Sequence, residues 1–151
     1  MTNILETDDF KKVMEISKKI HDIAKHSNTM YAPTLIKDFI VGIDITVNLL
    51  AKAVRDESRS SARLKQAEAE AYFDKAPDFL KGRGVKESSE AKKMYVAMDP
   101  DVVEASDVKA RAEAIAVLLK NKLQELRMAH DDVKKIAYSN DYNNNSANEG
   151  F

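Results

Sequence analysis

The sequence predicts an all-α chain whose long, heptad-bearing helices form a helical bundle, and three observations carry that expectation. Glycine and proline are scarce, 4 and 3 in 151 residues, so few positions can interrupt a helix. Charged residues reach 32% and aromatic residues only 7%, a balance typical of helices rich in Ala, Glu, Lys, Leu and Arg. Two stretches repeat aliphatic residues in alternating steps of three and four, the period of a helix seam.

The first helix is expected to start after Thr7, whose hydroxyl can cap it, with Asp8 and Asp9 at the positive end of its dipole. Phe10, Val13, Ile16 or Ile20, and Ile23 give its apolar face, and it is expected to end near His26. The connection HSNTMYAP follows, and Pro33 opens a second helix. In that helix Ile36, Ile40, Ile43, Val47, Leu50 and Val54 form a seam of nearly three heptads, and the next two seam positions, Glu57 and Ser61, end it. Gly42 costs about 1 kcal/mol against Ala inside a helix, so close helix contact is expected there. Nothing between Gly42 and Pro77 stops the helix from running to about Lys75, which would make it ~60 Å long.

APDFLKGRGVKES then reads as a break, SSEAKKMYVAM as a short helix capped by Ser88 or Ser89, and DPD as a turn. The last helix is expected from Ser106, with Val108, Ala112, Ile115, Leu119, Leu126, Ala129, Val133 and Ile136 on its seam and Lys122 interrupting it. The domain is thus expected over 1–138, and the polar, Asn-rich 139–151 as a disordered tail. Two seams exceed what one small chain needs to bury, so an oligomeric bundle is the economical reading and a long monomeric antiparallel hairpin its rival.

The chain has no cysteine, hence no disulfide and no thiolate chemistry, and a reducing compartment fits. Its opening MTNILETDDFKK lacks a signal-peptide pattern, and no apolar run approaches the ~18 residues of a membrane span. A cytoplasmic, non-membrane protein is the expectation. Nucleophile-elbow, phosphate-loop and dinucleotide motifs are all missing. His21 and His26 are five apart, which does not place both on one helix face, and His130 lies beside seam residues as a packed histidine would. Neither an enzyme nor a cofactor site is therefore expected.

One positive feature remains. Arg55, Arg59 and Arg63 stand four apart, neighbours about 6 Å from one another along a helix axis. That is near the spacing of successive phosphates in an extended single strand, and arginine also stacks on bases. The same stripe could be a solvated face paired with Asp56, Glu57, Glu68 and Glu70. Downstream, Lys81, Arg83, Lys86, Lys92 and Lys93 outnumber Glu87 and Glu90, and Tyr72, Phe73, Phe79 and Tyr95 lie among the charges as stacking faces or packing anchors. The KGRGVK loop is either a flexible linker or a basic loop whose backbone and side chains meet phosphate.

The order Lys65, Tyr72-Phe73, Gly82-Arg83-Gly84, Ser89-Glu90-Ala91-Lys92 and Asp99-Pro100-Asp101-Val102, followed by a long helix, resembles the UvsY family of phage recombination mediators over about residues 62–136. The resemblance implies a homo-oligomeric helical ring that binds single-stranded DNA and helps a recombinase displace single-strand-binding protein. It carries a DNA-contacting lysine onto Lys65 and places Ala67 at the family's second basic position, so Arg55, Arg59 and Arg63 are the candidates to supply that charge. The expected site is thus Arg55, Arg59, Arg63 and Lys65, flanked by Lys81, Arg83 and Lys86. The alternative expectation is an oligomeric phage protein that binds a host protein or sequesters a small ligand to inhibit host defence.

Overall fold

The computed structural model describes residues 3–23 and 31–148, the side chains of Asp22 and of residues 140–148 excepted. Its elements are α1 (Asp8–Lys18), α2 (Ala32–Glu70), α3 (Ala76–Gly82), α4 (Ser89–Met98) and α5 (Pro100–Asn148), with short 3-10 turns at Ile4–Glu6 and Lys19–Asp22 and a π-helical turn at Ala71–Lys75. The fold is all-α, with no strand among the described residues. Its contacts gather into two units, Met1–Lys52 with Val117–Phe151, and Ala53–Ala116.

In the first unit, Thr7 caps α1. Its Oγ1 accepts from the Phe10 N–H at 3.2 Å and donates to the Ile4 carbonyl at 2.7 Å. The α-helix gives way to a 3-10 turn at Lys19, and the expected end near His26 lies outside the described residues. Val13 and Ile16 are buried on α1, Phe39, Gly42, Thr46 and Leu49 on α2, and Leu119, Leu123, Leu126, Ala129 and Val133 on α5. Gly42 is the point of closest approach. A Cβ there would stand 3.0 Å from Ile16 Cγ2 and 3.3 Å from Leu126 Cδ1, so only glycine lets these helices meet without a shift. Lys19 Nζ and Asp38 pair at 2.6 Å beside this contact.

The buried line of α2 is therefore not the expected seam. Phe39, Gly42, Thr46 and Leu49 step by three and four, but one residue out of register with Ile36, Ile40, Ile43, Val47 and Leu50. The richer aliphatic line stays half-covered, Ile40 46% and Val47 42% exposed. Closeness decides the matter: glycine, and a threonine whose Oγ1 bonds back to the Gly42 carbonyl at 2.6 Å, let neighbours approach where isoleucines would hold them off.

In the second unit Pro77 does not break the chain. Its ring would clash with the carbonyl one turn back in an α-helix, and the wider π turn over Ala71–Lys75 relieves this, so α3 continues to Gly82. The break falls instead at Gly84, φ +65°. Ser88 caps α4, its Oγ accepting from the Ala91 N–H at 3.1 Å. α5 starts at Pro100, six residues before the expected Ser106, because Asp99 caps it and proline is favourable in a first turn. α5 runs on to Asn148, past the Tyr138 at which the sequence reading closes the domain. Residues 149–151 lie outside the described set.

Candidate nucleic-acid interface

The sequence-selected cations all fall in the second unit. Arg55, Arg59 and Arg63 stand exposed on α2, whose run of Ala, Arg, Lys, Gln and Glu favours helix throughout. None of the three forms an ion pair among the described residues. The intrahelical pairing with Asp56, Glu57, Glu68 or Glu70 that would mark an ordinary solvated face is thus not made.

Arg63 and Lys65 do not share a surface. Two residues apart on a helix are turned by about 200°, which puts their side chains on opposite flanks. Arg63 lines a hollow of about 190 Å³ with Gln66, Ala67, Glu70, Asp101 and Glu104, so three carboxylates surround it. Lys65 lines another of about 400 Å³ with Glu57, Ser58, Ser61, Ala62, Lys109 and Glu113, and Lys109 is paired to Glu113 at 2.9 Å. Cation and anion balance in the second hollow and anions prevail in the first. Arg55 and Arg59 line neither hollow and stand exposed.

Lys81, Arg83 and Lys86 lie exposed at the end of α3 and in the loop after it. That loop is a helix cap. The Arg83 and Val85 N–H groups donate to the Leu80 carbonyl at 3.2 and 3.0 Å, and Gly84 N–H donates to Lys81 at 3.1 Å. These three backbone donors are consumed, so Arg83, Gly84 and Val85 offer phosphate no free N–H. The Arg83 guanidinium lies 4.7 Å from the Phe79 ring centre, held by a cation–π contact.

Three of the four aromatic residues are packing anchors. Phe79 and Tyr95 rings meet at 4.8 Å. The Tyr72 ring lies under Lys92, 5.3 Å from its Nζ, and the Tyr72 hydroxyl meets Ser89 Oγ at 3.3 Å. Lys92 is itself paired with Glu87. Phe73 alone is left in the open, 69% exposed, its ring edge-on to Tyr72 at 5.0 Å.

The feature that sequence reasoning missed is Asp99. Its side chain is 1% exposed. It accepts from Lys75 Nζ at 3.3 and 3.2 Å, from the Tyr95 hydroxyl at 3.1 Å, and from the Asp101 and Val102 N–H groups at 3.0 and 3.3 Å. Burial alone would raise its pKa. The Lys75 and Tyr95 hydrogen bonds and the two backbone donors outweigh that and hold the carboxyl below its usual range. Lys75 is pushed up by its hydrogen bond to Asp101, against desolvation and with help from Asp99. Tyr95 is pushed up by burial and then by its bond to Asp99. An aspartate before proline reads as a turn, and only the distant Lys75 and Tyr95 reveal a buried ionic cap.

His130 Nδ1 lies 3.1 Å from Asp131, an exposed local pair. Among the described residues no group of three or more His, Asp or Glu side chains could hold a metal ion. No helix among them is long and apolar enough to cross a membrane. Comparison of the chain with protein-family models, with curated proteins and with solved structures finds no match.

Proposed function

We propose that the protein is a non-catalytic single-stranded DNA-binding protein, a homo-oligomer that serves recombination or replication of a phage as a mediator. The observation that carries this reading is the outer face of α2, where Arg55 and Arg59 stand exposed and unpaired one helical turn apart. Asp56 and Glu57 lie between them and engage neither, so both cations are available to phosphate. Lys81, Arg83 and Lys86 extend the same positive character along the second unit. The half-covered line Ile36, Ile40, Ile43, Val47 and Leu50 in the first unit supports self-association, which would repeat a modest patch several times over one strand. Displacement of single-strand-binding protein for a recombinase, in the host cytoplasm, rests on the family resemblance of the middle of the chain.

The test is fluorescence anisotropy with a labelled single strand over a salt series. Binding is expected at low salt and is expected to weaken linearly in log–log form. Absence of binding at low salt removes the reading, and affinity unchanged by Arg55→Glu with Arg59→Glu removes the site.

A second reading, sequestration of a small ligand, rests on the first unit. A hollow of about 750 Å³ there has an apolar wall of Ile20, Ile23, Met128, Ala129 and Ile136 and a polar one of Ser17, His21, Asp132 and the Lys122–Glu125 pair, 2.6 Å apart. Ser17, buried beside it, has a hydroxyl with no hydrogen-bond partner. Size and lining suit a compact molecule with an apolar body and a polar end. Mass spectrometry of material released from the purified protein by denaturation decides this reading.

A further inference from the structure

We infer that Phe73 is a base-stacking residue: it offers its open face to a nucleobase of a single strand that lies along the outer face of α2. The inference rests on the single-stranded DNA reading and adds a residue and a contact type that the cation stripe does not contain.

The ring stands on the outward side of the π turn. Ala71 and Ala76 are both fully buried. On an ordinary α-helix two residues five apart diverge by about 140°, so both could not face inward. The π turn, in which the Ala76 N–H reaches back to the Ala71 carbonyl, brings them to the same side, with Phe73 and Asp74 exposed between them. The outward ring is also held in place. Tyr72 meets it edge-on, and Tyr72 is itself fixed by the Ser89 bond and the Lys92 ammonium. The ring is 69% exposed, which leaves π surface available beside that contact.

Phe73 also lies on the arginine face. Steps of three and four from Arg59 lead through Ala62, Gln66 and Ala69 to Phe73, and all five residues are exposed. Two are alanines, which leave room for a strand against the helix, and Gln66 folds onto Glu70 at 2.8 Å. Arg59 to Phe73 spans about 20 Å along the axis, room for roughly three or four nucleotides. Phosphates would meet Arg55 and Arg59 at one end and a base would meet Phe73 at the other. A cation face that ends on a fixed, open aromatic ring is the arrangement by which single strands are held without sequence preference.

The experiment compares a fluorescein-labelled oligo(dT) with an equally long strand of abasic residues, which keeps every phosphate and has no bases. The unaltered protein should bind oligo(dT) more tightly. Phe73→Ala should lose roughly 5- to 100-fold on oligo(dT) and less than about twofold on the abasic strand. Phe73→Trp should restore the difference, and Phe73→Leu, which keeps bulk without a π face, should not. Equal affinity of the unaltered protein for both strands overturns the stacking role and leaves the DNA reading intact. Binding of neither strand removes both. A Phe73→Ala protein whose only change is a lower molar mass by light scattering would assign the ring to a subunit contact and overturn the inference.

Discussion

At the scale of single residues, what separates the three arginines is the company each keeps. Arg59 faces solvent and makes no ion pair among the described residues, Asp56 one turn before it included, whereas Arg63 shares its hollow with Glu70, Asp101 and Glu104. Arg59→Glu is therefore expected to weaken single-strand binding about tenfold at low salt and to flatten the salt slope by about 0.7. Arg63→Glu is expected to change affinity less than about threefold, because its field is already offset by neighbouring carboxylates. Anisotropy titrations at three salt concentrations check both, and equal losses would mean that the hollow's acids do not shield Arg63. The divergence of Arg63 and Lys65 was legible from their spacing of two. Their acidic surroundings were not, since Asp101, Glu104 and Glu113 come from a helix far along the chain. Gly42 is the complementary case. Its proximity role followed from a glycine in mid-helix, and its contacts with Ile16 and Leu126 set the outcome of substitution. Gly42→Ala should stay within about 1 kcal/mol of the parent, helix propensity offsetting a crowded contact, while Gly42→Val should cost about 2–3 kcal/mol. Chemical denaturation monitored by circular dichroism reads both.

At the scale of elements, the short-range signals were legible and the long-range ones were not. Thr7 and Ser88 cap the helices that their sequences announce, because a cap is a contact over three residues. Pro77 and Asp99 mislead for the opposite reason. Proline's effect depends on whether the preceding turn can widen, and Asp99 starts α5 with partners 24 and 4 residues upstream. Asp99 ties α4, α5 and the π turn of the second unit together, so its charge state bears on that unit's stability. A carboxylate held below its ordinary range favours the folded state above about pH 3.9, and that contribution is lost as pH falls through its lowered folded value. Lys75 and Tyr95, both raised, contribute below about pH 10, and their share is lost as pH rises through their folded values. The melting temperature of the parent should fall at both extremes. Asp99→Asn should lower it at pH 7, by roughly 2 kcal/mol of stability, and should remove much of the acid-side dependence. Thermal melts of the two proteins from pH 3 to 11 test this, and parallel acid limbs would deny Asp99 its role.

At the scale of the whole molecule, the chain carries two apolar lines on α2 and buries the one with less aliphatic surface. Composition could count the isoleucines but could not say which line a glycine and a threonine would bring closest to α1 and α5. In the proposed homo-oligomer the line left over would set the strength of association. Ile40 and Val47, about half-exposed, have roughly 1 kcal/mol apiece to gain from full burial, and the better-covered Ile36, Ile43 and Leu50 about half as much. About 3–4 kcal/mol per chain only approaches the least cost of fixing one subunit against another. Association through this line alone should therefore be weak and sensitive to dilution, and a bound strand that gathers several copies should strengthen it by raising their effective concentration. Molar mass by light scattering is thus expected to rise with protein concentration, and to rise further with a long single strand. Replacing Ile40 and Val47 by glutamate should hold the mass at one chain at every concentration tested. The helical signal and melting temperature should stay near the parent's, because both side chains are already in contact with water. A glutamate pair that unfolds the protein would show that the line belongs to the core. A pair that leaves the mass unchanged while the parent still self-associates would place the subunit contact on another face.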